Sequence, residues 1–255
     1  MQRSSIVGVL AMVLAAAAVY PARSALNRQY ERHRRVLDTA EIPTIGVARV
    51  VSLGHVEWLA DVLWINGLLY YGESLTARNP GRYVDRYASV MVALDPRFRQ
   101  AYLWAAVALV LRTGEVPVED IRRAAEYLEV ALRVFPSDGE LHFQLGATLA
   151  FELTPRLPRN SEERGPVRAV AAEHLRLASA LGAGPEWISL TAATWLTAAG
   201  RPDAAIETLR DGLVRVENSG FREHIQRRLV ELLRAHPDDD HGLAGMQALE
   251  ATRRR

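Results

Sequence analysis

Three stretches of the chain repeat one arrangement of small and large residues at helical spacing. Ala124, Leu128 and Ala131 lie four and three residues apart, as do Ala171, Leu175 and Ala178, and again Ala205, Leu209 and Gly212. Each row sets one large side chain between two small ones on a single helix face, which lets a neighbouring helix nest against it. Pro136 follows Ala131 by five residues and Gly200 precedes Ala205 by five, so two of the three rows sit next to a residue that stops a helix and lets the chain reverse. A chain with this punctuation is held to pairs of antiparallel helices.

The rest of the sequence agrees. Apolar residues recur at three and four, as in Leu59, Val62, Leu63, Ile65, Leu68 and Leu69. Sustained two-residue alternation and Asn-Gly hairpin turns are both lacking, so the fold class predicted is all-α. Ala and Leu, the cheapest helix formers, dominate. Breakers at Asn79-Pro80-Gly81, Asp95-Pro96, 112–117, Pro136-Ser137-Asp138, 154–166, 182–185, Gly200-Arg201-Pro202 and Asn218-Ser219-Gly220 divide the chain into about ten helices of roughly 12 to 24 residues. Their short connections predict antiparallel neighbours.

A repeat links these pieces. The stretch from Asp95 to Ala106 aligns with that from Phe135 to Gly146: a proline ends one helix, and ten residues later comes a small residue, Ala106 or Gly146. Gly67, with Tyr70 three further on, is an earlier version. A small residue where two helices meet, then Ala-x3-Leu-x2-Ala and Pro, resembles the tetratricopeptide repeat. The resemblance covers Leu53 to Glu217 as four helix pairs and implies a short stacked solenoid. The small first-helix residues Gly67, Ala106, Gly146 and Ala193 are 39, 40 and 47 residues apart, wider than the family's usual spacing of 34, with the excess in the loops. A second resemblance is to a bacterial membrane-anchored group, carried by Leu53-Gly54, Ala60-Asp61-Val62-Leu63-Trp64 and Leu94-Asp95-Pro96-Arg97-Phe98. It implies an envelope-associated repeat protein and brings no chemistry with it.

Residues Ile6 to Tyr20 are an uncharged apolar run behind Arg3. As a helix it would span about 22 Å, short of the roughly 30 Å hydrocarbon core, so it reads as a signal-peptide segment or a short membrane anchor. Arg23, Arg28, Arg32, Arg34 and Arg35 follow it, and the positive-inside tendency would hold them in the cytoplasm. The envelope resemblance would put the folded region in the periplasm, and both sides stay open. The expected organisation is 1–21 signal peptide or anchor, 22–46 polar helix and linker, 47–217 helical repeats and 218–255 capping helices.

The net charge of +1 gives no field for nucleic acid. All 31 basic residues are arginine, scattered among acids. Cysteine is absent, which excludes disulfides, thiolate metal sites and cysteine nucleophiles. His55, Glu57 and Asp61 lie near one another without the His-Glu-x-x-His zinc pattern. His236-Pro-Asp-Asp-Asp-His241 offers two imidazoles and three carboxylates, and a metal-dependent envelope enzyme built on Asp238, Asp239 and Asp240 is the alternative function. The same acids also suit a helix start. Neither a phosphate-cradling loop nor a Gly-x-Ser-x-Gly elbow is present. The expectation is therefore a non-enzyme without a cofactor, resident metal or small-molecule substrate.

In tetratricopeptide-like stacking, certain first-helix positions line a concave face. By register these are Asp61, Trp64, Leu68 and Tyr71; Gln100, Leu103, Val107 and Val110; and Glu140, Phe143, Ala147 and Ala150. The wall would be apolar with Asp61, Gln100 and Glu140 along one edge, suited to a hydrophobic or helical segment of a protein partner. Filling of that groove by the anchor-proximal helices is the competing expectation.

Overall fold

Ten helices in sequence, with no strand among the described residues, make up the structure, a computed structural model that describes residues 42–76, 81–112 and 114–236. They are α1 (Ile45–Val51), α2 (Val56–Thr76), α3 (Val84–Leu94), α4 (Arg99–Val110), α5 (Val118–Val134), α6 (Gly139–Ala147), α7 (Arg164–Ala180), α8 (Ile188–Ala198), α9 (Pro202–Arg215) and α10 (Ser219–Ala235). All belong to the compact unit that begins at Thr44. The fold class expected from the sequence is the one observed. The apolar run Ile6–Tyr20, the linker up to residue 41 and the final capping helix lie outside the described residues.

Side-chain caps and turn residues explain where several helices start. Thr44 accepts from the Val47 amide ahead of α1. Asp138 accepts from the Glu140 and Leu141 amides ahead of α6, and Asn218 from those of Gly220 and Phe221 ahead of α10. Each satisfies amides that a helix start leaves without partners. Pro202 opens α9, where a missing amide hydrogen costs nothing.

Two breaks differ from expectation. Ser52–His55 interrupts the chain between α1 and α2, with Leu53 and Gly54 both at positive φ. The expected helix there is therefore two, and His55 stands in the break. Thr154, expected to open a gap, instead continues α6 through a π-helical stretch, Thr148–Leu153, to Arg156. The cause is Pro155, whose ring would collide with the carbonyl four residues back in an α-helix. The chain widens by one residue, and the Thr154 hydroxyl donates to the Leu149 carbonyl at 2.7 Å. α1, α3 and α8 run 7 to 11 residues, shorter than the expected minimum.

Each helix packs on the next, and α1, α7 and α8 also reach the next but one. The repeated rows are buried as the spacing predicts: Ala124, Leu128, Ala131, Ala171, Leu175, Ala178, Ala205 and Leu209 have no exposed surface. Gly146 on α6 faces Leu175 on α7 so closely that a Cβ there would lie 2.7 Å from Leu175 Cδ2 and 3.0 Å from its backbone nitrogen. Gly67 on α2 sits against the Trp104 ring of α4, with 3.1 Å to the nearest ring carbon.

Candidate functional site

Opposite sides of the helix pairs carry different chemistry. The second helices are joined by charge. Arg123 on α5 reaches Asp85 on α3 at 2.8 Å, and Tyr127 donates to the same carboxylate at 2.8 Å. Arg122 on α5 grips Glu163, just ahead of α7, through a second bond of 2.9 Å. Glu173 on α7 takes Arg176 at 2.7 Å and Arg201 at 3.0 Å. Burial and the Asp85 charge push the Tyr127 phenol well above its usual range, so it stays a donor. The Arg176 and Arg201 guanidinia hold the Glu173 carboxyl below the usual carboxylate range.

The first helices are joined mainly by rings, with one ion pair, Arg99 to Asp138 at 2.9 Å, between α4 and the start of α6. Trp64 on α2 stacks edge-on against Phe98 with centroids 5.2 Å apart, and Tyr71 meets Trp104 edge-on at 6.3 Å. The Tyr71 hydroxyl donates to the Leu111 carbonyl. Trp64 and Tyr71 are thus half-buried contacts between α2 and the α4 region as well as members of the expected wall. Asp61, Leu68, Gln100 and Val107 are exposed, whereas Leu103, Val110, Glu140, Phe143 and Ala147 are half-buried. Phe143 packs against the Gly184 turn, where an added Cβ would lie 2.9 Å from its ring.

Ala150 is buried, and its neighbour Phe151 is exposed. The π-helical stretch adds a residue to the turn, so the face expected to carry Ala150 carries Phe151. Phe151 meets Trp187 edge-on at 5.8 Å and lies 6.3 Å from Trp195, over which Arg168 places its guanidinium at 5.0 Å. Leu111, just past α4, is also exposed. The stripes then read Asp61, Trp64, Leu68; Gln100, Leu103, Val107, Leu111; and Glu140, Phe143, Ala147, Phe151. Each begins with a polar residue and turns apolar. Thr154-Pro155 was the available signal for the extra residue.

Two histidines not singled out in the sequence also come together. His142 on α6 and His174 on α7 stack with Nδ1 atoms 2.9 Å apart. His142 Nε2 lies 3.1 Å from the Pro136 carbonyl, which can only accept, so that nitrogen carries a hydrogen. One ring donates to the other across the Nδ1–Nδ1 contact. Burial, then the neighbouring His142, pull the His174 imidazole down to about 4.

No group of three His, Cys, Asp or Glu among the described residues could hold a metal ion. His55, Glu57 and Asp61 do not form one. Of the His236–His241 stretch only His236 is described. The chain matches no known family model, and no curated protein sequence matches it.

Proposed function

We propose that this protein is a membrane-anchored helical-repeat scaffold of the bacterial cell envelope, stacked in the manner of tetratricopeptide repeats, whose first-helix face forms a groove for an apolar or helical segment of a protein partner. The observation that carries this reading is the sidedness of the helix pairs. Carboxylate–guanidinium contacts knit the second helices, while the first helices, which share the Arg99–Asp138 pair, leave Leu68, Val107, Leu111 and Phe151 partly open to water. Exposed apolar residues in line across successive helices are characteristic of binding surfaces. The groove is neither catalytic nor cofactor-bearing in this reading, and anchoring through Ile6–Tyr20 concentrates scaffold and partner in one place.

Several contacts recur at a period compatible with stacked pairs. Tyr71 meets Leu111, Asp85 meets Arg123, Arg99 meets Asp138 and Arg122 meets Glu163, at separations of 40, 38, 39 and 41 residues. Neighbour-on-neighbour contact of this kind is how a solenoid buries its core.

The test uses the exposed members, because Trp64, Tyr71 and Phe143 also hold helices together. Leu68→Asp and Val107→Glu in the full chain should abolish co-purification of a specific partner from membranes while circular dichroism stays unchanged. Retention of that partner by the double variant would refute the groove. A reporter fused after Arg255 decides between the periplasmic and cytoplasmic sides.

A further inference from the structure

The break between α1 and α2 is built unlike any other in the described chain. Leu53 has φ +49°, the one positive φ at a residue other than glycine among the described residues. A left-handed backbone suits glycine or asparagine, and a leucine there is held against its preference. Its side chain is 85% exposed, and Val50, Val51 and Trp58 around it are 74%, 61% and 64% exposed.

The exposure continues along α2. Ala60, Leu63, Gly67 and Tyr70 form its buried row. At 100° per residue, Trp58, Ile65 and Leu69 fall on the opposite side, and Ile65 and Leu69 are both more than half exposed. Apart from Glu57, Asp61 and Glu73, α2 carries apolar residues on both sides, and such a helix is normally covered on every side. Here the covered side faces the helix stack and the other faces outward.

We propose that the Val50–Trp58 turn and the outer stripe of α2 seat this protein on a lipid bilayer, with Leu53 and its valine neighbours entering the headgroup–acyl boundary. This rests on the membrane reading of Ile6–Tyr20. The connector from that run to Thr44 reaches at most about 80 Å, so a bilayer that takes up the run lies within reach of the turn.

The chemistry of the patch favours lipid over a protein surface. It offers few polar side chains for specific pairing: the Ser52 hydroxyl is spent on the Arg49 carbonyl, and the Arg49 guanidinium points to the Ala93 carbonyl at 3.4 Å. Arg49, Glu57 and Asp61 sum to −1, and no basic cluster lies in the patch among the described residues to select anionic lipid. An exposed set of aliphatic side chains beside a tryptophan suits the boundary layer of a bilayer. Zwitterionic lipid should therefore suffice, with little dependence on salt. Among the described residues no helix is long and apolar enough to cross a membrane, so the contact is one of surface seating.

The absence of cysteine makes the test direct. Leu53→Cys and Val50→Cys in the full chain are each labelled with an environment-sensitive fluorophore. Val214→Cys on α9, a position 86% exposed, is the control. With phosphatidylcholine vesicles, the labels at 53 and 50 should shift to the blue and lose most of their emission to bilayer-embedded quenchers. The label at 214 should do neither. A chain that floats with vesicles while both turn labels stay unquenched overturns the proposal and leaves the anchor intact. A blue shift that depends on protein concentration and not on lipid assigns the patch to a second copy and overturns it too. A chain that does not float removes the membrane reading and this inference together.

Discussion

Acidification from about pH 7.5 to about pH 5.5 addresses the His142–His174 pair before most carboxylates begin to titrate. Burial and the adjacent ring lower His174 from 6.5 to about 4 in the folded chain. The unfolded chain therefore takes up a proton first as pH falls. The stabilisation is complete above about 6.5 and is lost progressively down to about 4, with a limiting slope near 1.4 kcal/mol per pH unit. Over this interval the unfolded imidazole becomes almost fully charged and the folded one stays neutral, so the limiting loss is about 1.4 kcal/mol. Partial solvent access to His174 reduces it to about 0.7–1.4 kcal/mol. Urea unfolding followed by circular dichroism at the two pH values measures the difference. His174→Phe keeps a ring against His142 and removes the titration, so its pH dependence over this range should be flatter. An unchanged pH dependence in that variant would refute the assignment of the loss to this pair.

Four other substitutions test the packing logic, and the surface variants described above test the groove. Gly146→Ala should lower stability by about 1–2 kcal/mol, since overpacking against the Leu175 backbone outweighs the helix gain of about 0.5–1 kcal/mol. Thermal unfolding should register a fall of about 2–8 °C. Gly67→Ala meets the edge of the Trp104 ring at 3.1 Å and Tyr87 in ordinary contact at 3.5 Å, with no backbone atom close by, and should stay within about 0.5 kcal/mol of the parent. Equal losses in the two glycine variants would argue against backbone contact as the cause. Asp138→Ala should cost about 1–2 kcal/mol, because Asp138 both caps α6 and receives Arg99 at 2.9 Å. Arg99→Ala leaves the cap in place and should cost under about 1 kcal/mol by the same measurement.

The buried rows were readable in the sequence because helical spacing and small residues are local signals. Ala124-x3-Leu128-x2-Ala131 can nest in only a few ways, and Pro136 marks its end without reference to the rest of the chain. The connection at Ser52–His55 was not readable: it contains no proline, and Gly54 alone does not show that Leu53 takes the left-handed conformation beside it. The shift from Ala150 to Phe151 depends on Pro155 widening the helix instead of ending it. That choice is made by tertiary packing, since Leu149 and Leu153 are buried. The histidine pair was invisible for a different reason: 32 residues separate His142 from His174, and nothing local marks either ring as buried.

Contacts on both sets of helices fall near the same spacing. The Asp85–Arg123 and Arg122–Glu163 contacts join residues 38 and 41 apart. On the other side, Tyr71 and Leu111 meet at a separation of 40. Loops near 112–117 and 157–163 supply the added length, since α4 and α5 do not exceed 17 residues. Charged pairing with polar side chains turned to water can persist without a partner. Aromatic edges with Leu68, Val107 and Phe151 left uncovered gain most from a partner that removes them from water. A partner bound on the first-helix side should therefore show a negative heat-capacity change. Its affinity should change little with added salt, since Leu68, Val107 and Phe151 carry no charge. Strong weakening by salt would move the binding surface to the second helices.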